Sequence, residues 1–173
     1  MVNPWNDELT LLVTEAVRDA NGHAWYEVLL PERPNGSEGW VRDRDVDVVR
    51  LHERIEIDLS KYSLTYFRDD ELVDRFRVGI GQPQWPTPTG TFYVWAKVPQ
   101  QGSTGPYGVY AIGLSGFSPT LTEWPGGGRV AIHGTAVASN RGHKISHGCI
   151  RVYNPDMRKL ERAPMGTPVV ITK

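Results

Sequence analysis

Apolar and polar residues alternate in several short runs along the chain. The clearest runs cover residues 54–59, 76–80 and 92–98. Because successive side chains of a strand point to opposite faces, a period of two predicts half-buried strands. We expect these three strands to share one core.

The first fifty residues contain a second group of short runs, separated by turn sequences. We predict strands at residues 9–14, 25–30 and 39–41, which is typical of a small barrel. The pattern changes near Leu51, so we predict a β-barrel-like subdomain at residues 1–51 and a larger domain at 52–173. A segment of about fifty residues is marginal alone, and it should lean on the larger domain.

One helix is predicted near the end of the chain. Asn154 is a candidate N-cap, Pro155 suits the first helical position, and the helix should end near Ala163. A closing strand is predicted at residues 169–172. Residues 82–90 contain three prolines, which lack the donors of a strand ladder, so we expect an exposed connection or turn there.

The composition agrees with a fold made mainly of strands. The 18 glycines and 13 prolines among 173 residues fit many strands joined by tight turns. The predicted fold class is therefore mostly β: a strand sandwich or barrel with one short helix, preceded by a small β-barrel-like subdomain.

Charge, hydropathy and cysteine content exclude several classes of protein. No apolar run approaches the roughly 18 residues of a transmembrane helix, so no transmembrane segment is predicted. A formal net charge of -1 provides no field for nonspecific nucleic-acid binding, so no nucleic-acid partner is expected. The single cysteine, Cys149, excludes an internal disulfide and any multi-cysteine metal cluster.

The candidate chemistry lies between His133 and Arg151. Val130 and Ile132 should face the core, so His133 faces the other way at the end of a strand, where catalytic side chains are common. By the same alternation Cys149 and Arg151 share one face of a second strand. A nearby cation or histidine base is expected to lower the pKa of the thiol and to activate it as a nucleophile.

The turn before the thiol could stabilise negative charge on a reacting group. Ser146, His147 and Gly148 offer consecutive backbone N–H groups, and the glycine permits a tight bend, as an oxyanion hole requires. The side chain of His147 could equally sit in solvent. His143, His147 and Cys149 could also bind zinc, although a fourth ligand would have to come from elsewhere.

Three further features keep alternatives open. Cys149 could be a buried structural thiol. Arg151 could bind a substrate carboxylate, tune the thiol or support the structure. The glycine-rich segments 99–108 and 115–128, with Tyr107, Phe117 and Trp124, are either lids or caps on the edge of the core.

The motif His133-Gly134-Thr135, followed after a spacer by Ser146-x-Gly148-Cys149-Ile150-Arg151, resembles the L,D-transpeptidase (YkuD-like) catalytic domains of bacterial cell-wall enzymes. The resemblance extends over residues 54–173, through Thr87-Pro-Thr-Gly90 and Gly105-Pro-Tyr-Gly108. Residues 25–41 look more loosely like the Src-homology-3-like barrel found beside such domains. The implied fold is the β-rich catalytic domain of that family.

The resemblance assigns roles to individual residues. It implies that Cys149 is the nucleophile, that His133 is the general base and that the carbonyl of Gly134 orients the imidazole. The amides around His147, Gly148 and Cys149 would form the oxyanion hole. Ser146 and Arg151 are expected to contact substrate, and Arg151 matches only one branch of the family.

The reaction implied by the resemblance is acyl transfer on peptidoglycan stem peptides. The thiol would form a thioester with a stem tetrapeptide, release its terminal D-residue and pass the acyl group to an amine of a second stem. Neither a metal nor an organic cofactor is implied, and carbapenem-type β-lactams are expected inhibitors. The resemblance also implies an extracytoplasmic, cell-wall-associated protein, and because no leader is visible we expect a mature or trimmed form.

Other functions stay open on the sequence alone. Hydrolysis of the thioester would make the protein an L,D-carboxypeptidase. A noncatalytic wall-binding module would use the N-terminal subdomain instead. Papain-like enzymes place cysteine before histidine, unlike this chain, and sortase-like chemistry is a distant alternative.

Overall fold

The computed structural model describes residues 3, 7–123 and 126–173. Its strands are β1 (Leu12–Arg18), β2 (Ala24–Leu29), β3 (Glu38–Arg42), β4 (Glu53–Asp58), β5 (Ser63–Arg68), β6 (Glu71–Arg77), β7 (Ile80–Gly81), β8 (Gly90–Pro99), β9 (Tyr110–Phe117), β10 (Arg129–Thr135), β11 (Lys144–Ser146), β12 (Ile150–Tyr153) and β13 (Pro168–Thr172). The α-helix α1 covers Asn154–Leu160. The prediction of a mostly β protein is confirmed.

One large sheet forms most of the molecule. Its strand order is β12-β10-β9-β8-β13-β4-β5-β6, with the β10–β12 and β13–β4 pairs parallel and the others antiparallel. Gly79, just after β6, exchanges two backbone hydrogen bonds of 2.8 Å with Arg151 of β12. The two end strands of the sheet are therefore joined, and the sheet is a nearly closed barrel.

The inner face of this barrel forms the main core. Its largest fully buried apolar side chains include Ile55, Ile57, Leu64, Ile112, Leu114, Ile132, Ile150, Met157, Leu160 and Ile171. The alternation predicted around Ile55 and Ile57 is thus present in β4. Burying one such side chain stabilises the fold by about 1.5–3 kcal/mol before the entropic cost is counted.

The N-terminal segment forms a three-stranded antiparallel sheet in the order β1-β2-β3. Strand β1 begins at Leu12 and runs to Arg18, later than predicted, because it pairs with the whole length of β2. A short 3-10 turn follows at Asp43–Asp45. The likeness to a Src-homology-3-like barrel and the boundary near Leu51 stay predictions.

The helix begins differently from the prediction. Tyr153, not Asn154, occupies the N-cap position, and no side chain caps the helix. The amide of Asn154 is buried and is used elsewhere: its Oδ1 accepts from the N–H of Val109 at 3.2 Å and its Nδ2 donates to the carbonyl of Ser103 at 2.8 Å. The helix also ends at Leu160, before the predicted position.

Two predictions about connections are wrong. Residues 76–80 do not form one strand, because the chain leaves β6 after Arg77 and re-pairs at Ile80. The proline-rich segment 82–90 is not simply exposed, since Thr87 and Pro88 are buried and the hydroxyl of Thr87 accepts from the Gly81 N–H at 2.9 Å. Proline prevents strand pairing but does not prevent packing.

The two predicted lid segments have different structures. Pro99 is the last residue of β8, and residues 100–108 form a largely exposed loop that ends at the buried Gly108. Residues 115–117 belong instead to β9, and Phe117 is buried. Trp124 lies outside the described residues.

Candidate active site

The candidate site is built on the parallel pair β10 and β12. In their register Ile132 pairs with Ile150 and His133 pairs with Arg151. Both isoleucines are fully buried in the core, so His133 and Arg151 lie together on the opposite face. Cys149 is in the turn directly before β12, not on a strand as the sequence predicts, and it precedes Arg151 by two residues. Arg151 lies close enough for its charge to act on both His133 and Cys149.

His133 is almost fully buried, with 4% of its surface exposed. Its Nδ1 lies 2.9 Å from the carbonyl oxygen of Gly134. Because a carbonyl only accepts, Nδ1 carries the proton in the neutral ring and Nε2 is left as the basic atom. The ring of Tyr107 contacts the imidazole edge to face, with centroids 5.2 Å apart. Tyr107 therefore belongs to the site, although sequence analysis identifies it only as one side chain of a candidate lid.

Gly134 stands in a space that admits no side chain. A Cβ there would collide with the Asn154 side chain and would lie 2.9 Å from the Val109 backbone nitrogen. Glycine at this position lets the loop that follows Tyr107 approach the backbone of β10 closely. The carbonyl beside His133 is thereby held against fixed neighbours.

Burial controls the protonation of both candidate catalytic groups. Loss of hydration lowers the pKa of His133 to about 4, opposed by the hydrogen bond to Gly134 and assisted by the charge of Arg151. Burial also raises the pKa of the Cys149 thiol, opposed by the backbone of Ala131 and by Arg151. The expected lowering of the thiol pKa is wrong, because desolvation of the thiolate outweighs the nearby cation. At neutral pH the resting pair is a thiol and a neutral imidazole.

The turn before Cys149 is braced by Ser146. This serine is 1% exposed, and its hydroxyl accepts from the N–H of Gly148 at 3.1 Å while donating to the carbonyl of Cys149. Gly148 has φ 114°, a conformation that glycine adopts without a steric penalty. The hydroxyl of Ser146 is thus engaged inside the turn, and so is the Gly148 amide.

The proline-rich segment forms a wall beside this turn. The N–H of Gln82 donates to the carbonyl of Ser146 at 3.0 Å, next to the short β7–β11 pair. The rings of Trp85 and His147 are in contact, with centroids 4.1 Å apart and planes at 34°. The His147 side chain is therefore packed, and Trp85 is a site residue that sequence reasoning missed. Its position among prolines gave no periodic pattern.

Arg151 gives the site its positive charge. Its backbone is fixed by Gly79, and its Nε is buried without a hydrogen-bond partner among the residues that the structure describes. The sequence has no acidic residue between Glu123 and Asp156. A guanidinium with an unused donor beside the thiol suits a ligand with a carboxylate.

The described part of the chain contains no group of three or more His, Cys, Asp or Glu residues that could hold a metal ion. His143, His147 and Cys149 therefore do not gather into a zinc site. In the same part of the chain, no helix is long and apolar enough to cross a membrane.

The fold and the site define a class of mostly β proteins in which a buried histidine lies on one strand and a cysteine lies in the turn that leads into the neighbouring parallel strand. Residues 52–171 match the family model of the L,D-transpeptidase catalytic domain, YkuD. The chain belongs to this family of transpeptidase enzymes.

Curated relatives agree with the match. The YkuD protein of Bacillus licheniformis, named as an L,D-transpeptidase, is 33% identical over 120 residues, which cover 69% of this chain and 65% of that protein. The YkuD protein of Bacillus subtilis is 29% identical over 128 residues, which cover 73% of this chain and 70% of that protein. The chain thus spans about two thirds of the length of these relatives.

Solved structures share the fold. A mutant of Enterococcus faecium L,D-transpeptidase has a TM-score of 0.51 at 27% identity and covers 70% of this chain and 50% of its own. The Ldtfm–avibactam carbamoyl enzyme has a TM-score of 0.56 at 26% identity, with 72% and 50% covered. An L,D-transpeptidase from Mycobacterium tuberculosis has a TM-score of 0.57 at 16% identity and covers 95% of both chains.

Proposed function

We propose that this protein is a peptidoglycan L,D-transpeptidase in which Cys149 forms a thioester with a stem tetrapeptide. The observation that supports this most directly is the register of β10 and β12, which pairs His133 with Arg151, two residues after Cys149. Backbone pairing fixes the proposed base and the cation relative to each other, and the proposed nucleophile directly precedes the strand that carries the cation.

The first step forms the thioester. The sulfur of Cys149 attacks the carbonyl carbon that follows the L-centre of the third stem residue, and the thiol proton passes to Nε2 of His133. A neutral imidazole and a protonated thiol suit this general-base step, because the base is free to accept as the S–C bond forms. The tetrahedral intermediate then collapses. Its C–N bond breaks, and the imidazolium proton goes to the leaving amine of the terminal D-residue.

The second step transfers the acyl group. An amine of a second stem attacks the thioester, His133 takes its proton, and the C–S bond breaks. The imidazolium returns that proton to the sulfur. The backbone carbonyl of Gly134 holds the imidazole in the tautomer that both steps require.

We assign the oxyanion formed in each step to the backbone amide of Cys149, with His147 as the further donor that the family resemblance implies. The Gly148 amide is bonded to Ser146, so these two residues act by shaping the turn. Removing one oxyanion donor typically costs about 2.7–4 kcal/mol of transition-state stabilisation. We assign Arg151 to a carboxylate of the stem peptide.

The substrate class implies the location of the protein. Peptidoglycan stems are cross-linked outside the cytoplasm, so we propose an extracytoplasmic, cell-wall-associated protein. Imipenem is bound in a structure of the L,D-transpeptidase LdtMt1, and avibactam forms a carbamoyl enzyme with Ldtfm. We propose that β-lactams of the carbapenem type acylate Cys149 of this chain as well.

The test is incubation with a disaccharide tetrapeptide, followed by mass spectrometry of the products. We expect release of the terminal D-residue and formation of a cross-linked dimer, both abolished in Cys149→Ser and unchanged in Ser139→Ala, which alters an exposed residue. Arg151→Lys should raise KM, since lysine does not reproduce the guanidinium fork. A tripeptide product without dimer would instead identify a carboxypeptidase, and binding without turnover would identify a wall-binding module.

A further inference from the structure

The loop between β2 and β3 leaves the N-terminal sheet and contacts the catalytic domain. We call residues 30–37 the hairpin loop. Within it, the carboxamide of Asn35 pairs with both backbone groups of Phe117: Nδ2 donates to the carbonyl and Oδ1 accepts from the N–H, each at 2.8 Å. A side chain that satisfies both groups of one residue replaces a neighbouring strand at the end of β9.

Arg33 of the same loop holds the segment that follows β9. Its guanidinium donates to the carbonyl oxygens of Ser118, Leu121 and Gly127 at 2.9, 3.2 and 3.0 Å. It also lies over the ring of Phe117, 4.8 Å from the centroid. One rigid fork thus donates to three carbonyl oxygens at once. Arginine suits this role because its donors are spread over a planar fork, whereas those of lysine lie on a single nitrogen.

The segment held by Arg33 lies close to the turn that contains Gly148 and Cys149. Ser118 is 2% exposed, and its hydroxyl oxygen is 3.9 Å from the position that a Cβ on Gly148 would occupy. That hydroxyl accepts from the N–H groups of Thr120 and Leu121 at 3.3 and 3.1 Å. Because the backbone of the segment holds this hydroxyl, its position near Gly148 places the segment itself beside the Cys149 turn.

The hairpin loop is also tied to the strand that carries His133. Arg129, the first residue of β10, donates to the carbonyl of Pro31 at 3.1 Å. The same guanidinium lies over the rings of Trp95 and Phe117, with centroid distances of 3.7 and 4.2 Å. The hairpin loop thus contacts the segment near the Cys149 turn and also β10, the strand that carries His133.

We infer that the hairpin loop is a positioning element of the active site, with Arg33 and Asn35 as positioning residues that act through segment 117–121 on the Cys149 turn. The inference rests on the proposed function. It gives the N-terminal sheet a part in acyl transfer, since that sheet supplies side chains that hold catalytic backbone in place. Neither residue touches the reacting atoms.

The experiment compares Arg33→Ala, Arg33→Lys and Asn35→Asp with wild type in the full chain. Arg44→Ala is the matched control, because Arg44 is an exposed arginine of the N-terminal part whose ion-pair partner is its neighbour Asp45. Three quantities are measured: kcat and KM with the disaccharide tetrapeptide, the pH profile of Cys149 alkylation by iodoacetamide, and the melting temperature. Alkylation needs no substrate, so it tests the loop even if wild type fails to turn over the tetrapeptide.

We expect Arg33→Ala to lower kcat about 10- to 100-fold, as small displacements of catalytic groups do, and to shift the alkylation profile. Arg33→Lys should recover part of the loss because one ammonium reaches fewer carbonyls. Asn35→Asp keeps the acceptor for the Phe117 N–H but loses the donor, so it should show the same defects to a smaller degree while remaining folded.

The inference is overturned if Arg33→Ala and Asn35→Asp keep the wild-type kcat and alkylation profile. It is equally overturned if their losses vanish once rates are corrected for the folded fraction at the assay temperature, or if Arg44→Ala loses as much. If Arg33→Ala does not fold, the comparison of Asn35→Asp with wild type decides the outcome by the same criteria.

Discussion

At the scale of single residues, burial decides the charge state of the candidate catalytic pair. Arg151 lies close enough to influence both groups, yet desolvation is the largest effect on His133 and on Cys149. Desolvation favours the uncharged form of each group. It therefore lowers the pKa of the imidazole and raises the pKa of the thiol. The resting site is therefore uncharged except for Arg151, and charge develops only as the nucleophile attacks.

This charge state predicts an unusually acid-tolerant activity. Protonated His133 cannot accept the thiol proton, so kcat/KM should fall only as the pH drops through about 4, the lowered pKa of His133. We expect a flat profile from pH 7 to about 5, measured with the disaccharide tetrapeptide. An acid limb centred near the ordinary imidazole value of about 6.5 would contradict this.

The control for that profile is the stability of the fold. Because the pKa of His133 is lower in the folded than in the unfolded chain, the unfolded chain binds the proton first as the pH falls below about 6.5. The stability contributed by the neutral imidazole is thus fully present above that pH and is lost progressively towards pH 4. Far-UV circular dichroism at each pH separates unfolding from protonation of the base.

At the scale of elements, Asn154 connects the only α-helix of the described residues to the loop above His133. Its amide binds Ser103 and Val109, on either side of Tyr107 in the chain. It also fills the space beside the Cα of Gly134. One buried amide therefore aligns α1, the loop and the end of β10.

Replacement of this amide should destabilise the fold. In Asn154→Ala the N–H of Val109 and the carbonyl of Ser103 lose their partners, and an unsatisfied buried polar group costs about 1–3 kcal/mol. We expect a loss of that size in the free energy of unfolding, measured by urea denaturation. Arg158→Ala, an exposed position on the same helix, should stay within about 0.5 kcal/mol of wild type. Equal free energies of unfolding for the two variants would show that the hydrogen bonds of the Asn154 amide to Val109 and Ser103 do not stabilise the fold.

At the scale of the whole molecule, the N-terminal sheet shares its core with the barrel. Leu29 is buried in one cluster with Tyr93, Trp95 and Ala96 of β8. The hydroxyl of Tyr93 also donates to the carbonyl of Leu29 at 3.3 Å. Residues 1–51 contain ten acidic and five basic side chains, whereas residues 52–173 contain ten acidic and fourteen basic ones. The two parts therefore carry opposite net charge, which also favours packing of the N-terminal sheet on the barrel.

This shared core predicts one cooperative unfolding transition. A three-stranded sheet of this size buries too little surface to persist alone, so it should unfold together with the barrel. Differential scanning calorimetry should give a single peak whose calorimetric and van't Hoff enthalpies agree. A separate low-temperature peak would show that the N-terminal sheet is independent, and would weaken its role in positioning the site.

The strands with strong alternation were predictable because their pattern is local. All of the predicted run 54–59 except Leu59 lies in β4, and residues 92–98 lie in β8. Glu38–Arg42 contains the predicted third N-terminal strand. Strands β5 and β9 were missed. In β9, seven of the eight residues are buried, so the period of two that marks a half-buried strand is absent there.

The helix start shows how tertiary contacts override a local preference. Asn154 is a good N-cap by type, but its amide satisfies two loop groups far away in the sequence. The break after Arg77 has a similar origin, since Gly79 leaves the β5–β6 pairing to bond with Arg151. Neither partner can be identified from neighbouring residues.

The sequence by itself determined the mostly β class, the inward faces of β4, β10 and β12, and His133 and Cys149 as the candidate pair, because alternation and a motif are properties of the chain alone. The tertiary structure decided how charged that pair is, since desolvation depends on everything packed around it. It also decided the neighbours of the site, among them Tyr107 and Trp85, and the contacts of Arg33 with segment 117–128. Those depend on which distant segments share a surface, and no local pattern encodes that.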